Sequence, residues 1–210
     1  MLENYERTKE GVIKQVTRND FVYDEAYTLQ KQSELGGEVE EERLSSLRLG
    51  LMIGSLNSTV TSLLDVGYGS GSFLKLASKI VSKCFGYDTA PAFPLPTKIR
   101  SAEDVSGRYY DVVTFFNSLE HMPEIDFIKS LRCKYIIITT PWCHNFSDDW
   151  FEKWEHRKPD EHLWHFNDES LQRFMLRRGY ACKHYSNVED VLRGSRVDHP
   201  NYLTSIFKKD

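Results

Sequence analysis

Two apolar runs, YDVVTFF at 110–116 and KYIIITT at 134–140, limit the fold more than any other feature of the chain. Both are rich in β-branched and aromatic residues and too short for a buried helix, so each reads as a strand buried on both faces. Shorter runs precede them: 60–66 ends in Gly67, and 83–87 ends at Asp88. A brief strand is expected near 98–101. The apolar spacing between the runs predicts helices over 72–81 and 123–131, the second opening on Pro123, where a proline is tolerated. A third helix is expected over 168–178, capped by Asn167 or Asp168 and closed by Gly179. The runs 180–185 and 202–208 end the chain as two strands, read as antiparallel neighbours.

Alternating strands and helices imply an α/β, doubly wound fold. The expected form is a Rossmann-like, mostly parallel seven-stranded sheet with an antiparallel last strand and helices on both faces. One crossover departs from that plan. The stretch TAPAFPLPT at 89–97 holds three prolines, so a loop or a short turn stands where a helix is usual. Residues 1–57 read as a polar N-terminal arm plus a helix over 38–56 that packs on the core. Residues 58–210 read as the ligand-binding domain, with 142–167 as a lid over the substrate. Ligands of such sheets bind beyond the carboxyl ends of the strands. Here those ends fall at 65–71, 88, 101–104, 117–121 and 141–146.

Charge narrows the function. Lys and Arg number 27 against 31 Asp and Glu, a net charge of −4. Polynucleotide binders usually carry a basic excess, so a nucleic-acid substrate is not expected. The four cysteines form no C-x-x-C pair, the opening MLENYERTKEG lacks an apolar signal core, and no apolar run approaches the ~18 residues of a membrane span. A reduced, cytoplasmic protein with no membrane contact is the expectation, and a homo-oligomer is left open.

The loop LLDVGYGSGSF at 63–73 carries the chemistry. Its glycines at 67, 69 and 71 allow a backbone to pass close beneath a ligand. The dinucleotide fingerprint G-x-G-x-x-G would need glycine at 72, which is Ser72, and this weakens an NAD reading. The G-K-[ST] ending of a phosphate loop is absent as well. Asp88, 21 residues after Gly67, can accept two hydrogen bonds from a ribose diol.

Several motifs in register make the reading specific. LLDVGYGSGSF resembles the first motif of class I S-adenosylmethionine-dependent methyltransferases, and CFGYD their acid after the second strand. YDVVTFFNSLEHMPE resembles the segment after the fourth strand in small-molecule methyltransferases of the ubiquinone-biosynthesis O-methyltransferase type. YIIITTP and EHLWHFNDESLQRFMLRRGY are similar to their later segments. The likeness covers residues 60–182. It implies S-adenosylmethionine as cofactor and methyl transfer to a small molecule, with oxygen as the expected acceptor atom. A nitrogen acceptor, or an inactive protein that keeps the fold, are the alternatives. By the same resemblance Asp65, Gly67, Tyr68, Gly69 and Gly71 lie under the amino-acid end of the cofactor. Asp88 binds the ribose, Glu103 or Asp104 meets the adenine, and Asn117, Ser118 and Leu119 line the methionine side.

The base for an oxygen acceptor is expected to be His121 or His144, since imidazole titrates near neutrality. All four tryptophans and four of the seven histidines fall in 142–165, where they serve as a substrate platform or as a satellite core. The spacing of Glu120, His121, Glu161, His162 and His165 matches no recognised metal pattern, and no metal is expected.

Overall fold

A computed structural model describes residues 2–91, 93–194 and 198–210. The arm opens with strands β1 (Tyr5–Arg7) and β2 (Ile13–Gln15), followed by helix α1 (Glu25–Leu35) and helix α2 (Glu38–Ser55). Asp24 caps α1 by accepting the Tyr27 N–H, and Gly36 closes it in the left-handed conformation. The core follows as β3 (Ser62–Val66), α3 (Ser72–Ala77), β4 (Lys83–Tyr87), β5 (Ile99–Ser101), β6 (Tyr109–Phe116) and β7 (Arg132–Pro141). The chain ends with α4 (Asp148–Lys153), β8 (Trp164–His165), α5 (Asp168–Leu176), β9 (Tyr180–Ser186), α6 (Asp190–Arg193) and β10 (Tyr202–Lys209).

Seven strands form one sheet in the order β5-β4-β3-β6-β7-β10-β9. All neighbours are parallel except β10, which runs antiparallel to both β7 and β9. The order reverses between β3 and β6, and the crevice beyond their carboxyl ends is the switch point. Successive residues of the central strands face opposite cores, as period two requires. Leu64, Val113, Ile136 and Ile138 pack on one side with Leu171 and Phe174 of α5, while Leu63, Val112 and Ile137 pack on the other with Met52 of α2 and Leu74 of α3.

Two expectations need correction. The region 123–131 is not an α-helix but a 3-10 turn over Asp126–Ser130. The buried side chains explain this: Ile125, Ile128 and Leu131 recur every three residues, the period of a 3-10 turn. The helix expected over 72–81 stops at Ala77, with Lys79 and Ile80 in tight turns. The arm is joined to the rest of the chain. β2 pairs antiparallel with β8, which joins residues 13–14 to 164–165 in a second, three-stranded sheet. Val12 lies fully inside the main core. The proline-rich link from β4 to β5 carries no helix among the described residues. All four cysteines are free thiols. No helix among the described residues is long and apolar enough to cross a membrane.

Candidate active site

The glycine loop is tied at both shoulders. Gly67 N–H donates to the Tyr87 carbonyl at 2.7 Å, and Gly69 N–H donates to Asp88 Oδ2 at 3.0 Å. Across the loop Ser118 Oγ donates to the Val66 carbonyl at 2.6 Å. Gly67 has φ +74, and a Cβ there would stand 2.4 Å from Ser118 Cβ. Only glycine fits this approach of β3 to β6. Asp88 Oδ1 also accepts the Ala90 N–H at 3.0 Å, so its carboxylate is oriented by backbone while each oxygen keeps a second acceptor position.

Tyr68 does not close the site. Its ring folds back over Gly86, where a Cβ would come within 2.7 Å of it, and packs with Leu95 against the α2–α3 core. Beneath the loop, Asp65 is 3% exposed and accepts the Thr114 hydroxyl at 2.7 Å. Burial pushes its carboxyl up to about 6.

A cleft of about 990 Å³ opens over these groups, lined by Asp65, Gly67, Tyr68, Gly69, Asp88, Asn117, Ser118 and His121 among others. Asn117 ends β6 in the left-handed region, at φ 53, which asparagine tolerates. Its Oδ1 accepts from Arg48 at 3.2 Å and from Arg193. Both guanidinium groups also hold Glu189, which is fully buried: Arg48 Nε and Nη2 lie 2.7 and 3.0 Å from its two oxygens, and Arg193 lies at 3.1 Å. Burial would raise the Glu189 carboxyl, yet the Arg48 and Arg193 charges hold it at about 2.

The far wall comes from the 3-10 turn Leu119–His121, from α1 and from the segment after α4. The Leu163 N–H donates to the Glu120 carbonyl at 2.7 Å, drawing that segment onto the turn. His121 Nδ1 lies 2.9 Å from the Glu161 carbonyl and 3.2 Å from the Tyr23 hydroxyl. Because a carbonyl only accepts, Nδ1 carries the proton and Nε2 keeps its lone pair. Burial lowers the imidazole to about 4. Glu161 is itself pinned by the Tyr27 hydroxyl at 3.0 Å, Lys31 at 3.4 Å and Lys158 at 3.5 Å.

Five expected site residues fall elsewhere or support the cleft from behind. Glu103 and Asp104 are exposed and do not line it; Asp104 Oδ1 accepts the N–H groups of Ser106 and Gly107 in its own turn. Leu119 is buried in the core, and Gly71 caps α3. His144 points away: its Nε2 donates to the Pro200 carbonyl at 2.7 Å, and its ring stacks between Trp142 and Phe146. It therefore lacks a place at the reaction centre. Trp142, Trp150, Trp154 and Trp164 do not line the cleft either; Trp154 and Trp150 join Tyr5, Ile13, Cys143 and Phe151 in a satellite core. The aromatic faces of the cleft come instead from Tyr23, Tyr27, Tyr87, Phe116 and Tyr202. Tyr23, Tyr27 and Arg48 belong to the N-terminal arm and α2, and no motif in the sequence marks them as that wall. Nor does any mark Glu189 and Arg193.

A family model described as a methyltransferase domain matches residues 40–185. A comparison with curated protein sequences gives no match. Three solved structures share the fold. One is an S-adenosylmethionine-dependent methyltransferase from Clostridium acetobutylicum, 11% identical, with a TM-score of 0.59 over 88% of this chain and 97% of its own. A second is 1,6-didemethyltoxoflavin-N1-methyltransferase from Burkholderia thailandensis, 13% identical, with a TM-score of 0.57 over 99% of both chains. The third is the [4+2]-cyclase SpnF, 14% identical, with a TM-score of 0.61 over 88% of this chain and 93% of its own. At such identities the likeness speaks for the fold alone, and the family match carries the rest. The chain belongs to the methyltransferase-domain family and has the fold of S-adenosylmethionine-dependent methyltransferases.

Proposed function

We propose that the protein methylates a small molecule, at an oxygen atom, from S-adenosylmethionine held over the glycine loop. One observation carries the reading: Asp88, Gly67, Gly69 and His121 all line one continuous cleft of about 990 Å³. That volume suits a cofactor with a modest acceptor beside it. The charges of the wall favour the same class. Arg48 and Arg193 are paired with Glu189, and Lys31 and Lys158 with Glu161, so among the described residues the cleft offers no free row of cations to a phosphate backbone.

The donor set fits the cofactor. The cradle at Gly67 exists only without a Cβ, and the oriented Asp88 carboxylate has acceptor positions left for a diol. Asp88 holds the ribose, and Asp65 with Gly67 to Gly69 supports the amino-acid end. Asn117 and Ser118 border the reacting methyl. Bound S-adenosylmethionine supplies a methyl group already activated by its sulfonium. The chain's own task is then alignment and exclusion of water. His121 Nε2 accepts the acceptor's hydroxyl, while the Glu161 carbonyl fixes the ring. Residues 1–57 work as part of this wall rather than as a separate unit, and 155–162 of the expected lid closes the acceptor side.

Calorimetric titration with S-adenosylhomocysteine, with NAD as control, tests the reading. Asp88→Ala should weaken S-adenosylhomocysteine at least tenfold, the loss of two charge-assisted hydrogen bonds. Absence of heat with S-adenosylhomocysteine and S-adenosylmethionine at millimolar concentration would overturn it.

A further inference from the structure

Beside the proposed acceptor position lie three groups, of which only His121 has a part in that reading. Glu120 is 1% exposed, yet lines the cleft. Its Oε1 accepts from Asn117 Nδ2 at 3.3 Å, and its Oε2 has no hydrogen-bond partner. A buried carboxylate oxygen without a partner is costly and rare. His121 presents Nε2 to it, 4.0 Å from Oε1. His162 joins them from the segment after α4, with its Nε2 3.8 Å from Glu161 Oε1. Its Nδ1 donates to the His156 carbonyl at 2.6 Å, which leaves its Nε2 lone pair free, and its ring meets that of His121 at 4.7 Å between centroids. One ligand atom from each of Glu120, His121 and His162 lies within 4.8 Å of the other two.

Two imidazoles with Nδ1–H held by backbone carbonyls, and Nε2 turned toward a buried carboxylate, form the arrangement that orients histidine as a metal ligand. The carbonyl bonds fix the tautomer before any ion arrives. We propose that Glu120, His121 and His162 bind one divalent transition-metal ion at the acceptor end of the cleft. Two nitrogens and one oxygen suit Zn²⁺, Co²⁺, Mn²⁺ or Fe²⁺, whereas Mg²⁺ and Ca²⁺ prefer oxygen ligands. Bonds of about 2.0–2.2 Å put ligand atoms about 3–3.5 Å apart, so the three side chains draw together by about an ångström on binding. Glu161 is not a ligand: Tyr27, Lys31 and Lys158 already engage its Oε1.

Three protein ligands leave coordination positions open to the cleft. The inference rests on the methyl-transfer reading and alters the part of His121 within it, from hydrogen-bond acceptor to metal ligand. It also names the acceptor class: a small molecule with a hydroxyl, or two adjacent oxygens, able to reach a metal. The metal acidifies the bound hydroxyl, whose proton passes to solvent water. The resulting oxygen forms a bond to the methyl carbon as the carbon–sulfur bond breaks. The products are the methyl ether and S-adenosylhomocysteine.

The test uses the full chain, stripped with chelator and titrated with Zn²⁺, and with Co²⁺ followed by its visible bands. One equivalent should bind. His162→Asn and Glu120→Gln should each lower metal affinity at least tenfold, while His144→Ala, outside the cluster, should not. S-adenosylhomocysteine binding, measured in parallel, checks that each variant is folded. It also separates the two readings: wild-type protein that binds S-adenosylhomocysteine but neither metal overturns the metal site alone. Unchanged metal affinity in folded His162→Asn, or a preference for Mg²⁺ over Zn²⁺ and Co²⁺, also overturns it.

Discussion

Gly67 and Gly69 look alike in the sequence, yet they stand in different surroundings. Both have positive φ, +74 and +54, so any side chain strains either backbone. At Gly67 a Cβ would also meet Ser118 Cβ at 2.4 Å, whereas at Gly69 it would meet nothing within 4 Å. Gly69→Ala should therefore cost about 1–2 kcal/mol, the price of a left-handed alanine. Gly67→Ala should cost more, because β3 and β6 must also part, and it should weaken S-adenosylhomocysteine. Denaturant midpoints of the two variants check the order; equal midpoints would remove the close approach from the account. Tyr68 shows the converse. Its ring is accommodated because Gly86 on the neighbouring strand has no side chain, a relation that a one-dimensional motif does not contain.

At the scale of elements, Glu189 joins three of them: α2 through Arg48, β7 through the Thr139 hydroxyl at 2.9 Å, and α6 through Arg193. Removing its charge leaves two guanidinium groups without their shared anion. Glu189→Gln should destabilise the fold by about 3–5 kcal/mol, the usual cost of breaking a buried ion pair from one side. A melting temperature within two or three degrees of wild type would contradict this. The turn at 126–130 makes a further point about elements. An α-helix was expected there, but a spacing of three between its buried apolar residues selects 3-10 geometry.

At the scale of the molecule, buried histidines set the response to acid. Burial holds His121 and His156 at about 4 and His165 at about 3, and keeps His162 well below its ordinary range. A histidine kept neutral in the fold contributes fully above about 6.5. That contribution is lost as pH falls toward the folded value, because only the unfolded chain takes the proton. Each such residue can remove up to about 1.4 kcal/mol per pH unit. Asp65 and Glu120, raised by burial to about 6 and about 7, act in the opposite sense, since the fold protonates them first. Burial lowers His144 as well, so five histidines oppose two acids, and stability should fall between pH 6.5 and 4. Urea midpoints at pH 7, 6 and 5 measure this. His165→Phe, which replaces a ring lying among Tyr5, Phe151 and Trp154, should flatten the slope. Flat or rising midpoints in wild type would contradict the balance.

The succession of strands along the chain, the glycine loop and the acid Asp88 at a strand's end were readable because each depends on near neighbours in the chain. Strands buried on both faces must be apolar throughout, and a close backbone approach must be glycine. The acceptor side was not readable in this way. Glu120 and His162 are 42 residues apart, Tyr23 and His121 are 98, and Arg48 and Glu189 are 141. The short link from β2 to β8 decides that the arm forms a wall of the cleft, and a single backbone bond, Leu163 to Glu120, brings His162 to the turn at 119–121. Local pattern told which residues form the core and the glycine loop. Which polar groups meet across the cleft depends on loop paths and long-range pairing, and these exist only once the sheet has closed around them.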